Sequence, residues 1–253
     1  HLSIRRQRQM CIRDSYKARD LNIDGAERDG VIPALDFLTA SNRLGMGDDL
    51  SSDETDRYFA EGRRVVVIGG GDTAMDCVRT AIRQKAASVS CLYRRDRANM
   101  PGSAREVMNA EEEGVNFEWL TMPEGFEGGD AVEAVRCSKI HLGQPDATGR
   151  RVPEPIPGSS YLKEADLVIK ALGFDPEDLP SAFNEPRLKV SRWGTININW
   201  QSMMTSLDGV FAAGDIVRGA SLVVWAVRDG RDAAERIDTW LSHKAAGADK
   251  IAS

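Results

Sequence analysis

Three small residues at fixed spacing, Gly69, Gly71 and Ala74, carry the clearest chemical signal in this chain. They fill the small positions of a G-x-G-x-x-G/A pattern. The first permits a tight turn, the second lets backbone approach a phosphate, and the third lets a helix pack on a strand. Gly70, Asp72 and Thr73 complete the same turn. Where such a turn opens a helix, unpaired N–H groups and the positive end of the helix dipole converge, which suits a pyrophosphate. Taken alone, the pattern also fits a glycine turn that binds nothing, and its neighbours argue for the ligand. A second pair of residues bears on which ligand. Arg94 and Arg95 stand about 20 residues past the turn, where Asp or Glu would bond the ribose 2′-hydroxyl of NAD and Arg would accommodate the 2′-phosphate of NADP. The alternative is that these arginines, with Asp96 and Arg97, form a solvated charge cluster. Their position favours NADPH.

The elements that must place these residues are legible on both sides. Val65 to Ile68 is a β-branched run suited to a strand buried on both faces of a parallel sheet. After the turn, Ala74, Val78, Ala81 and Ile82 recur at helical spacing, with Arg79 and Arg83 on an outer face. Ser88 to Tyr93 reads as the next strand, leading directly into Arg94. Beyond it, Ser103 and Glu106 form an S-x-x-E capping box for a helix that stops near Gly114. Val115 to Leu120 reads as a third strand, Phe126 to Gly129 as a turn, Val132 to Leu142 as a strand in a small meander, and Gly143 to Pro157 as a loop. Ala165 to Leu172 returns as a buried strand ending at Gly173.

Upstream, Val31 to Asn42 reads as a helix carrying Ile32, Leu35, Phe37 and Leu38, and the acidic stretch Asp48 to Glu61 as a linker. Near the end, Gly194 to Asn199 alternates like a half-exposed strand, and Gly209 to Asp215 reads as a buried one. A long helix from about Ser221 to Ser242 places Ala226, Gly230, Ala233, Ile237 and Leu241 on one face. Gly230 in mid-helix implies that something passes close there. His1 to Ser15 shows no sustained periodicity and no apolar signal-peptide core, and is set apart as a non-native or disordered arm.

Composition narrows the function classes. The 42% hydrophobic and 28% charged content is that of an ordinary globular protein, and 253 residues can bury a core. A net charge of −6 leaves no footprint for nucleic acid. No run of 18 or more apolar residues marks a membrane span, so no membrane partner is expected and the chain is expected to be cytoplasmic. Cys11, Cys77, Cys91 and Cys137 show no C-x-x-C and no metal-ligand spacing, so no metal site is expected. With His1, His141 and His243 as the 3 histidines and no G-x-S-x-G, a histidine-based hydrolase is not expected.

Several longer stretches occur in fixed order: GGGDTAMDCVRTA, YRRDRANMPGSAREV, ADLVIKALGFDP, SRWGTININWQSMMTSLDGVFAAGD and GDIVRGASLVVWAVRDGRDAAERI. Together, over Tyr16 to about Leu241, they resemble the small-chain family of bacterial NADPH-dependent glutamate synthase. The resemblance implies an α/β two-dinucleotide flavoprotein fold, with a Rossmann-like NADPH domain at residues 63–178 inserted into a partial FAD domain made of 16–62 and 179–253. It assigns Gly214 and Asp215 to FAD, the carboxylate accepting from a ribityl or ribose hydroxyl. It sets the N–H groups of Leu222, Val223 and Val224 against the flavin's pyrimidine edge, and lets Ala171 and Gly173 pass close to the junction of the two nucleotides. A turn and helix cap is the plain alternative for Gly214 and Asp215.

The family's iron–sulfur ligands and its first glycine fingerprint are missing from this chain, which reads as the carboxyl-terminal part of a longer protein. The implied activity is hydride transfer from NADPH to FAD, with electrons passing to a large chain that makes glutamate from glutamine and 2-oxoglutarate. The fragment alone is expected to be inactive. No catalytic side chain is expected, because the cofactors carry the chemistry. A sibling such as an NADPH:ferredoxin oxidoreductase or a dihydropyrimidine-dehydrogenase-like reductase subunit, and a non-catalytic NADPH-binding module, are the alternatives.

Overall fold

The computed structural model describes residues 17–145 and 151–249. The expected arm at residues 1–15 therefore lies outside the described residues. The chain divides into two compact units, one formed by Arg19–Gly173 and the other by the segments before and after it.

The described chain begins with a two-residue strand, β1 (Lys17–Ala18), which belongs to the second unit. The first unit then runs β2 (Val31–Pro33), α1 (Ala34–Gly45), α2 (Ser52–Tyr58), β3 (Arg64–Ile68), α3 (Asp72–Arg83), β4 (Ser88–Tyr93), α4 (Ala104–Glu112) and β5 (Asn116–Trp119). Four further strands, β6 (Thr121–Glu127), β7 (Ala134–Pro145), β8 (Arg151–Pro155) and β9 (Tyr161–Glu164), precede β10 (Leu167–Lys170). The order β2-β10-β3-β4-β5 is an all-parallel sheet in which Val65 faces Val89, and Ile68 faces both Leu92 and Lys170.

Alternate side chains of β3 serve two cores, which is why its sequence is uninterruptedly apolar. Val65 and Val67, with Cys91 and Ile169, pack against Phe37 of α1, Ala74 and Val78 of α3, and Val107 of α4. Val66 and Ile68, with Leu92 and Val168, pack against Phe126, Val135 and Cys137 of the antiparallel β6–β9 sheet. Each fully buried side chain of this size contributes about 1.5–3 kcal/mol. Cys77, Cys91 and Cys137 are buried free thiols within these cores.

Several expectations change. Val31–Pro33 is an edge strand and the helix starts only at Ala34, because Val31 and Ile32 pair with Val168 and Ile169. Pro33, which lacks an N–H, ends the edge strand and enters the helix without cost to the ladder. The acidic linker contains α2, closed by a capping box in which Ser51 Oγ accepts from Glu54 N–H while Ser51 N–H donates to the Glu54 carboxylate. Ser103 makes no such bond. Its partner Glu106 pairs with Arg79 instead. Phe126 is a buried strand residue rather than a turn, since it faces the second core. The loop expected over 143–157 includes β8, paired with β7. The resemblance groups residues 16–62 with the flavin segment; in the structure β2 pairs with β10, and residues 19–62 lie in the unit that carries the glycine turn.

The second unit has little regular strand. Residues Lys17–Ala18 pair with β11 (Phe174–Asp175), followed by α5 (Leu179–Ala182), α6 (Asp215–Arg218) and the long α7 (Val223–Asp249). A small core gathers Leu179, Leu188, Ile196, Ile216 and Val217. The stretches Gly194–Asn199 and Gly209–Asp215 are not strands; they make only isolated bridges, Val190 with Ile196, Asn199 with Met204, and Met204 with Phe211. A strand needs a continuous ladder to satisfy its backbone, and among the described residues these stretches find single bridges in place of one. On α7, Asp229 and Ala233 are buried while Gly230 is exposed and Leu241 is 47% exposed. The inward face is rotated from the expected one because Asp229, held by Arg218, takes the place of Gly230. A Cβ at Gly230 would meet nothing within 4 Å, so no close neighbour requires that glycine.

Candidate functional site

The glycine turn connects the carboxyl end of β3 to the first turn of α3, and each of its glycines has a different physical reason. Gly69 has φ +144°, and a Cβ there would lie 2.1 Å from the carbonyl oxygen of Ala171. Its N–H donates to the Leu92 carbonyl at 3.1 Å, and its own carbonyl accepts from the Cys91 thiol. A Cβ on Gly70 would strike the ring of Tyr93 at 2.4 Å. At Gly71 a Cβ would meet nothing within 4 Å. The middle of the turn is therefore an open cradle on a braced floor. Ala74 behind it is fully buried, so helix and strand meet closely as its small side chain predicts.

Among the described residues the N–H groups of Gly70, Gly71, Asp72 and Thr73 have no acceptor. They sit at the positive end of α3, the arrangement that holds an anion. Asp72 contributes its carboxylate elsewhere: Oδ1 accepts the Ser103 N–H at 2.9 Å. Ala171 is buried, donates its N–H to the Ile68 carbonyl and walls the first glycine. Gly173, at φ +87°, accepts from the Arg19 N–H.

Arg94 and Arg95 follow β4, the strand paired with β3. Arg94 is exposed and Arg95 half-buried. Among the described residues no side-chain hydrogen bond or ion pair engages either guanidinium. Their neighbours are committed: Asp96 caps the turn by accepting from Asn99 N–H, and Arg97 pairs with Glu111 at 2.8 Å. The charge cluster thus separates into two structural members and two unengaged cations.

Gly214, Asp215, Leu222, Val223 and Val224 come together in the second unit. Gly214 is buried at φ +80°, with its carbonyl accepting from Val217 and Arg218. The Asp215 carboxylate accepts from Ser221 N–H at 3.3 Å, closing the loop before α7. Leu222, Val223 and Val224 are 66%, 75% and 64% exposed at the opening turn of that helix. Sequence reading missed the device behind them. Arg218 bonds Asp229 through two nitrogens at 2.5 and 2.7 Å and lies between the rings of Trp200 and Trp225. The guanidinium, and then the Gly214 N–H, hold the Asp229 carboxyl below its ordinary range. It also missed the contact of Gly102 and Ser103 with the glycine turn.

Comparison with known proteins fits this architecture. The family model described as pyridine nucleotide-disulphide oxidoreductase matches residues 16–230. The chain belongs to that family. Among relatives of this pyridine nucleotide-disulphide oxidoreductase, the glutamate synthase (NADPH) small chain of Azospirillum brasilense is 62% identical over 230 residues, covering 91% of this chain and 48% of that one. The NADP(+)-dependent formate dehydrogenase subunit beta of Moorella thermoacetica is 42% identical over 214 residues, covering 84% and 28%. The chain thus spans about half the length, or less, of these relatives. Among solved structures, FprA of Mycobacterium tuberculosis in complex with NADPH has a TM-score of 0.72 at 17% identity, covering 94% of this chain and 64% of that one. At that identity the likeness shows the fold, which is the α/β fold expected.

Proposed function

We propose that this chain is the electron-input part of a glutamate synthase small chain, which takes hydride from NADPH to FAD on behalf of a large chain that makes glutamate from glutamine and 2-oxoglutarate. The observation that carries the nucleotide half is the open cradle at Gly71, ringed by N–H groups that have no acceptor among the described residues, with two arginines after β4 that have no side-chain partner among them. Gly69 to Ala74 hold the pyrophosphate, Arg94 and Arg95 hold the 2′-phosphate, and Ala171 and Gly173 line the path toward the nicotinamide. In the second unit, the exposed first turn of α7 at Leu222 to Val224 offers apolar surface and free N–H groups to the flavin edge, and Gly214 and Asp215 receive its hydroxyl-bearing chain. When bound, the nicotinamide and flavin rings supply the redox chemistry, and this chain's residues bind, orient and exclude water. The buried, dispersed Cys77, Cys91 and Cys137 do not fit as iron–sulfur ligands, so such clusters belong to other segments or partners.

The names of the relatives support this reading, the Azospirillum chain most strongly. The identity with the formate dehydrogenase subunit supports a second one, a sibling reductase that uses the same nucleotide unit with another acceptor. A cytoplasmic setting accompanies either; among the described residues no helix is long and apolar enough to cross a membrane.

The test is a calorimetric titration of the purified chain with NADPH and with NADH, preceded by a visible spectrum for flavin. Tighter binding of NADPH is expected, and the Arg94→Ala/Arg95→Ala double variant should lose NADPH affinity much more than NADH affinity. An equal loss for both would remove the 2′-phosphate role, and no binding of either would remove the site.

A further inference from the structure

The loop that carries Arg94 and Arg95 does not hang from β4 alone. After Arg97–Asn99 it folds back onto the glycine turn and is fastened there at two adjacent residues. Gly102 N–H donates to the Gly70 carbonyl at 2.9 Å, and Ser103 N–H donates to Asp72 Oδ1 at 2.9 Å. The approach is close enough that a Cβ on Gly102 would lie 3.1 Å from the Gly70 carbonyl oxygen. Tyr93 braces the same loop, with its ring against Gly70 and its hydroxyl donating to the Asn99 carbonyl at 2.9 Å. At the other end the Arg95 carbonyl accepts from Leu120 N–H at 3.1 Å.

Asp72 is the one charged group in this arrangement that touches both parts. It is the first residue of α3, yet its carboxylate oxygen is committed to the loop rather than left toward the cradle. An acid at this place is electrostatically awkward for a site that is to hold phosphates, because like charges repel. From this we infer that Asp72 is a positioning residue: through Ser103 it fixes the loop of Arg94 and Arg95 against the pyrophosphate turn, and so sets the discrimination between a 2′-phosphorylated dinucleotide and one without that group. The inference rests on the nucleotide reading of the site given above.

The two roles open to Asp72 have opposite signatures. Were it only a charge beside the cradle, removing it would strengthen both dinucleotides about equally. As a latch, its loss loosens the arginine loop and weakens NADPH selectively. Titration of the full chain with NADPH and NADH separates these. In Asp72→Ala the NADPH-to-NADH preference is expected to fall roughly tenfold, the scale of one hydrogen bond to a charged acceptor. Asp72→Asn keeps an oxygen that can accept from Ser103 and should retain the preference. Ser103→Pro removes the donor and sets a ring Cδ where the N–H met Asp72, at a φ of −55° that proline accepts and without loss of a side-chain cap bond. It should reproduce the Asp72→Ala loss, and the double variant should lose no more than either single one.

An unchanged preference in Asp72→Ala and Ser103→Pro, with a wild-type chain that prefers NADPH, overturns the latch and leaves the nucleotide site standing. Equal loss in Asp72→Asn and Asp72→Ala overturns it as well. A wild-type chain without any preference for NADPH overturns the underlying reading and the latch with it.

Discussion

The two units of this chain use the same kinds of residue to different ends. In Arg19–Gly173, β-branched runs find partners on both sides and become a five-stranded parallel sheet with a core on each face. In the other unit, runs rich in β-branched residues such as Thr195 to Ile198 make single bridges only. That unit is held by a small core, an Arg–Asp pair clasped between indoles, and side-chain bonds to backbone such as Ser206 Oγ with Lys189 N–H. The difference teaches that strand propensity describes fitness for a ladder and does not create one.

Five substitutions and one change of pH sharpen this contrast. Phe126→Ala should cost about 3–5 kcal/mol in urea unfolding, since the ring is 1% exposed between the two sheets. Trp193→Ala, at 69% exposure in the second unit, should stay within about 0.5 kcal/mol. Comparable costs for the two would erase the distinction. Gly69→Ala should destabilise by about 2–3 kcal/mol and abolish dinucleotide binding, because it forces a Cβ against the Ala171 carbonyl at a glycine-only φ; retained binding would show that the turn can shift.

Acid should release the Arg218–Asp229 pair of the second unit. The Asp229 carboxyl is held below its ordinary 3.8 by Arg218, so its contribution is complete above that value and is lost as pH falls through the lower folded value. Hydrogen exchange followed below pH 4 should show α7 opening, and Asp229→Asn should abolish that pH dependence in α7. Last, Gly230→Ala should stabilise α7 by up to about 1 kcal/mol, because the position is mid-helix, exposed and without neighbours. A loss there would reveal a contact at Gly230.

The sequence was most legible where one local signal sufficed. The strand Val65 to Ile68, the turn and the helix after it, and Ser88 to Tyr93 are found where their patterns put them, because each is long, periodic and locally consistent. Val31–Pro33 was hidden because three apolar residues fit a helix as well as an edge strand until a partner is present. Helix α2 was hidden because a capping box, rather than an apolar face, marks it. In the candidate site the turn and the arginines could be read directly. The fastening of Ser103 to Asp72 spans 31 residues, and that of Arg218 to Asp229 joins two elements; no spacing rule announces either.

The Cys91 thiol, which donates to the carbonyl of Gly69, gives the nucleotide turn a chemical clock. Burial pushes this thiol up to about 12, so at neutral pH it is held in the unreactive protonated form. An alkylating reagent must therefore wait for the turn to lift away from β4, and the rate of modification at Cys91 counts those openings. A dinucleotide that grips the turn would slow that count without any change in the chemistry of sulfur.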